Sequence, residues 1–192
     1  MVNDLQKLNF EIVLVLGYEG TGKSYGIKYL EPKTCFWYNA DNKNPTFKNI
    51  QHGDTTISSR EFYGTKTNPG KFMIIPNTYD DITNHLNALK EKGFLDDNPI
   101  AFLLAHVEDY KSEDGEMRQR LKTLGNLATK MNIEGIVENC FYTKLVSVGD
   151  KVEFKLDTKN SGTNTCRSLE DAFNTRYIDN NFQLIYDAIK NY

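Results

Sequence analysis

Apolar positions along the chain fall into short blocks separated by polar stretches, and the spacing within each block predicts its element. Residues 11–16, EIVLVL, are a compact apolar run bounded by Gly17, as expected for a strand buried on both faces. From Gly22 the pattern turns helical to about Leu30, and Pro32 stops it. TCFWYNA, 34–40, is aromatic and β-prone and predicts a second strand. Residues 41–70 are rich in Asn, Thr, Gly and Lys and read as loop, with a short strand near Thr55–Ser58. KFMII, 71–75, predicts a buried strand ended by Pro76. TYDDITNHLNALKEKG follows with Thr78 and Asp81 in capping-box spacing and Tyr79, Ile82, Leu86 and Leu89 on one face, a helix ending at Gly93.

IAFLLA, 100–105, is the most apolar run and predicts a central strand. After a polar loop, HVEDYKSEDG, the residues Met117, Leu121, Leu124, Ala128 and Met131 recur at helical spacing. Beyond Gly135 the period becomes two: ENCFYTKLVSVGDKVEFKLDT alternates about Gly149 and Asp150, which predicts a β-hairpin. Two short helical patterns, Leu169–Asn174 and Asn181–Lys190, finish the chain. The succession predicts an α/β fold with a mainly parallel sheet and a C-terminal antiparallel hairpin, in one domain spanning 1–192.

Composition narrows the class. The hydrophobic content of 39% and charged content of 26% are those of a globular protein, and no run of about 18 apolar residues predicts a membrane span. MVNDLQKLNF lacks the basic start and apolar core of a secretory signal, so the expected location is the cytoplasm, the host's if the protein is viral. Cys35, Cys140 and Cys166 show neither metal-ligand nor CxxC spacing and are read as free thiols. A net charge of −3 excludes a broadly basic nucleic-acid binder and confines any such contact to a local patch.

The chemistry concentrates in GYEGTGKS, Gly17 to Ser24, which satisfies GxxxxGK[ST] between a predicted strand and a predicted helix. Backbone N–H groups from Glu19 to Ser24 can converge on a phosphate, and Gly17, Gly20 and Gly22 allow the dihedrals and the close approach. The binding set is therefore Gly17, Glu19, Gly20, Thr21, Gly22, Lys23, Ser24 and Tyr25. Lys23 is expected on the β and γ phosphates of ATP, and the Ser24 hydroxyl on Mg²⁺.

Hydrolysis also needs a carboxylate for the metal and a group to orient water. The strand ends do not supply the usual aspartate: KFMII runs into Pro76 and Asn77, and IAFLLA into His106. Asp41 and Glu108 follow strands and face the site in an open α/β sheet, whereas Asp80 and Asp81 suit a helix N-terminus. His106 reads either as a γ-phosphate sensor or as a histidine satisfied by its own backbone surroundings. EMRQRLKTLGNLATK gathers Arg118, Arg120, Lys122 and Lys130, with Arg118 and Lys122 on one face, either a nucleic-acid contact or a solvated helix. Tyr110, Phe141 and Tyr142 are open between base stacking and core.

Together GYEGTGKS, CFWYNADNKNPTF, LLAHVEDYKSEDGEMRQRLKTLGNLATKMNIEG and GTNTCRSLEDAFNTRYIDNNFQLIYDAI resemble the RecA-like core ATPases of bacteriophages, the group that includes Sak-type single-strand annealing proteins. The resemblance covers roughly half the chain and implies a RecA-like P-loop NTPase core, ATP and Mg²⁺ as cofactors, single-stranded DNA as partner and assembly into a homo-oligomer. It implies that Asp41 activates water and joins Ser24 at the metal, and that His106 couples nucleotide state to a mobile DNA-contacting loop at 107–116. Candidate DNA contacts are Lys111, Arg118, Arg120 and Lys122, and Arg167 matches a residue that reaches a phosphate across a subunit boundary. The chain departs from the group between Leu89 and Ile100, where KEKGFLDDNP replaces the strand carrying the metal-binding aspartate. Two other functions stay open on these residues: a nucleotide-binding regulatory module with little turnover, and a P-loop nucleoside or nucleotide kinase. Only five scattered arginines are present, too few for an evident kinase lid.

Overall fold

The computed structural model describes residues 10–30, 37–38, 49–52, 55–58, 73–74, 79–93, 98–122 and 133–192. They divide by packing into two units. One holds a 3-10 turn at Tyr25–Tyr29, α1 at Tyr79–Glu91, and four short strands: β2 (Trp37–Tyr38), β3 (Asn49–His52), β4 (Thr55–Ser58) and β5 (Met73–Ile74). The other holds β1 (Glu11–Gly17), β6 (Ile100–Lys111), β7 (Met117–Leu121), a helical turn α2 (Ile133–Ile136), β8 (Asn139–Val148), β9 (Lys151–Asp157) and β10 (Tyr177–Asp179). A C-terminal helix, α3, runs from Phe182 to Lys190.

In the first unit β2 pairs with β5 in parallel, and β3 with β4 in an antiparallel hairpin that includes the expected strand at Thr55–Ser58. Helix α1 forms where the 3.6-residue period predicts it, with Leu86 and Leu89 buried. Gly93, at φ +69, ends it, its N–H bonding the Lys90 carbonyl at 3.0 Å. The helix expected from Gly22 to Leu30 is shortened to the five-residue 3-10 turn. Gly26 at its middle weakens α-helix, and five residues are too few to repay nucleation.

The second unit is a six-stranded mixed sheet in the order β10-β9-β8-β1-β6-β7. It is parallel at its core, where β1 pairs with both β6 and β8, and antiparallel at both edges. Strand β1 is the centre because IVLVL is apolar on both faces: Val13, Leu14, Val15 and Leu16 are all at 1% exposure or less. IAFLLA, expected at the centre, lies one strand out and is only half-buried. Strand β7 pairs only with Val107–Lys111, so Ile100–Ala105 has β1 as its one described neighbour.

Four expectations give way to the structure. HVEDYKSEDG is no loop down to Lys111, because β6 runs straight on, and Met117–Leu121 is a strand, not the start of a helix. Spacing of four is even, so Met117 and Leu121 share a face of a strand as well as of a helix, and the pattern did not distinguish them. The reversal is made by Ser112–Glu116: Gly115 takes φ +87, and Ser112 N–H reaches the Glu116 carbonyl at 2.9 Å. The segment 107–116, expected as a mobile loop, is therefore most of a hairpin arm. Leu124, Ala128, Lys130 and Met131 lie outside the described residues. Leu169–Asn174 is bends and turns rather than helix, with Asp171 at φ +55.

The β8–β9 hairpin forms as the two-residue period predicts, with Gly149 at φ +60 in its turn. Phe141 and Tyr142 are buried, Phe141 edge-on to Phe173 at 5.8 Å, which settles them as core. Glu134, also buried, accepts from Leu121 N–H at 3.1 Å, from the Tyr142 hydroxyl at 3.0 Å and from Thr165. It thereby ties α2 to β7 and β8. Burial and the Glu134 charge push the Tyr142 hydroxyl well up. Cys140 and Cys166 are free, as expected, and both are buried; Cys35 lies outside the described residues.

Candidate functional site

The loop leaving β1 takes its shape from its own residues. Gly17 ends the strand buried beside β8, where an added Cβ would lie 1.9 Å from Thr143 Oγ1 and 2.6 Å from Thr21 Oγ1. Only a residue without a side chain fits. Gly20 and Gly22 take φ +75 and +88, and a Cβ on Gly22 would also meet the Phe154 ring at 2.5 Å. The Asn180 side chain braces the far end by donating to the Gly22 carbonyl at 2.7 Å. Thr143 Oγ1 lies 2.6 Å from Thr21 Oγ1 and 3.2 Å from the Leu16 carbonyl, two acceptors within reach of its one proton. Thr21 in turn donates to the Tyr18 carbonyl at 2.8 Å, closing the turn.

Lys23 folds back over this loop. Its ammonium donates to the Gly17 carbonyl at 2.9 Å and the Tyr18 carbonyl at 2.7 Å, and meets His106 Nδ1 at 3.2 Å. An ammonium has only protons to offer, so Nδ1 is the acceptor and any ring proton sits on Nε2. His106 reaches this spot because β1 and β6 are parallel neighbours with Gly17 opposite His106. That a polar residue follows the apolar part of β6 was legible, although the strand continues past it to Lys111, and its contact with Lys23 required the register.

The structure brings some candidates together and leaves others apart. Gly17, Tyr18, Gly20, Thr21, Gly22, Lys23 and His106 form one constellation, with Glu19 exposed on its rim. Ser24 precedes the 3-10 turn as its N-cap, without a side-chain cap bond. Tyr25 lies in that turn, where the Lys28 ammonium sits 3.6 Å from its ring centroid and a hydrogen bond with Lys28 is the chief cause lowering its hydroxyl pKa. Asp41 lies outside the described residues, and of Asp80 and Asp81 only the backbone, in the first turn of α1, is described. Among the described residues no group of three or more His, Cys, Asp or Glu side chains could hold a metal ion.

Glu108 accepts from Arg120 Nε at 2.8 Å, so its carboxylate already has a cation, and Arg120 also lies 4.7 Å over the Tyr110 ring. Arg118 pairs with Asp114 and, at 3.6 Å, with Glu116. Two of the four candidate DNA contacts are thus engaged with carboxylates on the arm, while Lys111 and Lys122 are exposed. Across Val107–Leu121 there are five acidic and three basic side chains, a net negative surface. Arg167 directs its guanidinium to the Val137 carbonyl at 2.9 and 2.7 Å, inside its own chain.

Sequence reasoning missed Tyr18, Thr143, Phe154 and Asn180. Tyr18 lies within the loop, but its partners Asp109 and Gln119 are about ninety and a hundred residues away, and nothing in the spacing of Thr143, Phe154 and Asn180 ties them to the loop, because the sheet brings them there from residues 143–180. No family model, curated protein or solved structure matches the chain. No helix among the described residues is long and apolar enough to cross a membrane.

Proposed function

We propose that the chain is a RecA-like P-loop protein that binds a nucleoside triphosphate, ATP, at the loop between β1 and the 3-10 turn. The observation that carries this reading is the closed glycine loop with Lys23 folded over it. Two positive-φ glycines shape the loop, and the lysine rests on two of its carbonyls beside a histidine from the adjacent parallel strand. A phosphate would meet the backbone N–H groups of Glu19 to Ser24 and the Lys23 ammonium. The 3.2 Å contact to His106 is longer than the Lys23 bonds to the Gly17 and Tyr18 carbonyls and is the one a phosphate oxygen would replace before them. His106 would then sense the γ-phosphate. Mg²⁺ would supply charge neutralisation on the phosphates, with the Ser24 hydroxyl and Asp41 as its ligands.

Turnover is proposed to be slow and to depend on Asp41, because Glu108 is already paired with Arg120. Single-stranded DNA and a homo-oligomer follow from the resemblance. The net negative arm argues against the arm itself as the principal contact for a polyanion, so DNA would lie on other residues.

The test is titration of the protein with a fluorescent ATP analogue, followed by phosphate release with and without a single-stranded oligonucleotide. Binding with oligonucleotide-stimulated release supports the recombination reading. Tight binding without turnover favours the regulatory module, and phosphoryl transfer to a nucleoside favours a kinase. No binding by the native chain overturns the site.

A further inference from the structure

We propose that Tyr18 is a positioning residue of the phosphate loop, and that through its hydroxyl the β6–β7 arm holds the loop and responds when the loop is filled. The inference rests on the nucleotide site proposed above. Tyr18 is the one aromatic side chain in GYEGTGK, and at 38% exposure it is substantially in solvent. Its hydroxyl is nevertheless not left to water: it donates to the Asp109 carboxylate and accepts from Gln119 Nε2 at 2.8 Å. Asp109 and Gln119 are direct cross-strand partners in the arm, so one hydroxyl bridges both strands at a single rung.

That rung is itself fixed. The Gln119 N–H donates to the Thr163 carbonyl at 2.7 Å, and its side-chain oxygen accepts from Lys144 at 3.5 Å. Glu108 bonds Arg120 and Asp114 bonds Arg118, whereas the Asp109 carboxylate accepts from the Tyr18 hydroxyl of the loop. Burial, and then the Asp109 hydrogen bond, raise the Tyr18 hydroxyl pKa, so it stays a proton donor through the neutral range.

At the other end of the same residue, the Tyr18 carbonyl accepts from both Lys23 and Thr21. A ligand that draws the Lys23 ammonium towards itself loosens one of the two bonds on that carbonyl and shifts Tyr18. The phenol then transmits the shift to Asp109 and Gln119. Because coupling is reciprocal, whatever holds the arm also changes the affinity of the loop.

The experiment measures amide hydrogen exchange across Val107–Leu121, with and without a non-hydrolysable ATP analogue, in the native chain and in Tyr18→Phe, Asp109→Ala and the double variant. Affinity for the analogue is measured alongside. In the native chain the analogue should change exchange over Asp109–Gln119. Tyr18→Phe should keep the fold, bind roughly fivefold to tenfold more weakly and abolish the arm response. Asp109→Ala should match it, the double variant should be no worse than either single one, and Asp109→Asn, which keeps an acceptor, should restore most of the response. A merely structural role for Tyr18 would leave the arm response intact. A native chain that binds the analogue with no change in the arm, a Tyr18→Phe protein that retains the change, or additive losses in the double variant each overturn the inference alone. Absence of binding by the native chain overturns the site reading from which it starts.

Discussion

Gly17→Ala tests the loop architecture most directly, since the added methyl has no space. Its carbon would stand 1.9 Å from Thr143 Oγ1, 3.2 Å from Thr143 Cβ and 2.6 Å from Thr21 Oγ1. Thr143 cannot turn its hydroxyl aside without leaving the Leu16 carbonyl and Thr21, and a β-branched side chain has few rotamers to turn to. Overpacking of this kind costs about 2 kcal/mol. For a chain of this size that is a fall of about 4–8 °C in melting temperature. Thr143→Ala removes the nearest atom but leaves Thr21 Oγ1 at 2.6 Å and a tight 3.2 Å contact at the residue 143 Cβ, so relief is partial, while by itself it loses a buried hydrogen bond worth about 1 kcal/mol. The double variant should therefore fall short of additivity by about 1 kcal/mol. Thermal melts followed by circular dichroism give the four stabilities, and ATP-analogue titration should show weakened binding in Gly17→Ala and partial recovery in the double variant. A Gly17→Ala protein that melts within a degree of the native chain, or strict additivity with Thr143→Ala, would refute the packing argument.

Three further outcomes follow from the structure. Lys23→Ala should abolish binding of the ATP analogue while leaving the melt nearly unchanged, and affinity retained within a few-fold would remove the phosphate-loop reading. Glu134→Gln should lower stability by about 2 kcal/mol, since it replaces a buried carboxylate accepting from Leu121, Tyr142 and Thr165 by an amide that either sets its own NH₂ against the Leu121 N–H or makes both hydroxyls turn and give up their acceptor; guanidinium unfolding measures it, and a loss under about 0.5 kcal/mol, the range of neutral surface changes, would mean the network is dispensable. Burial pushes the Cys140 thiol up to about 12 and, aided by the Asp157 charge, raises Cys166 as well. Both should resist iodoacetamide at pH 8 in the folded chain and react once it is unfolded, read peptide by peptide by mass spectrometry. Their folded-state pKa values are raised, so their contribution to stability is whole below pH 9 and is lost as pH climbs from 9 towards 12. Rapid labelling of Cys140 at pH 8 would contradict its burial.

The elements that were legible are those whose signal is local. IVLVL specifies a strand buried on both faces whatever surrounds it, TYDDITNHLNALKEKG carries a helical stripe and a terminal glycine, and VGDK turns a two-residue alternation back on itself. The glycine loop after β1 was legible for the same reason, since three glycines, a lysine and a serine at fixed spacing constrain the backbone directly. Where two structures share one pattern, the chain alone was ambiguous: Met117 and Leu121, four apart, suit a helix and a strand equally. Pairing with Val107–Lys111 and the turn at Gly115 decided for the strand. The centre of the sheet was likewise undetermined, because a run as apolar as IAFLLA can occupy either a middle or a neighbouring strand, and which strands flank it depends on pairing across a hundred residues. The sequence by itself thus determined a glycine loop with a lysine at its end, the feature from which the phosphate-binding proposal starts. Only the tertiary structure decided that His106 stands against that lysine, that Thr143 makes Gly17 obligatory, and that the Tyr18 hydroxyl ties the loop to an arm about ninety residues away. Each of these is a contact set by strand register, and register is a property of paired strands that neither strand's own residues contain.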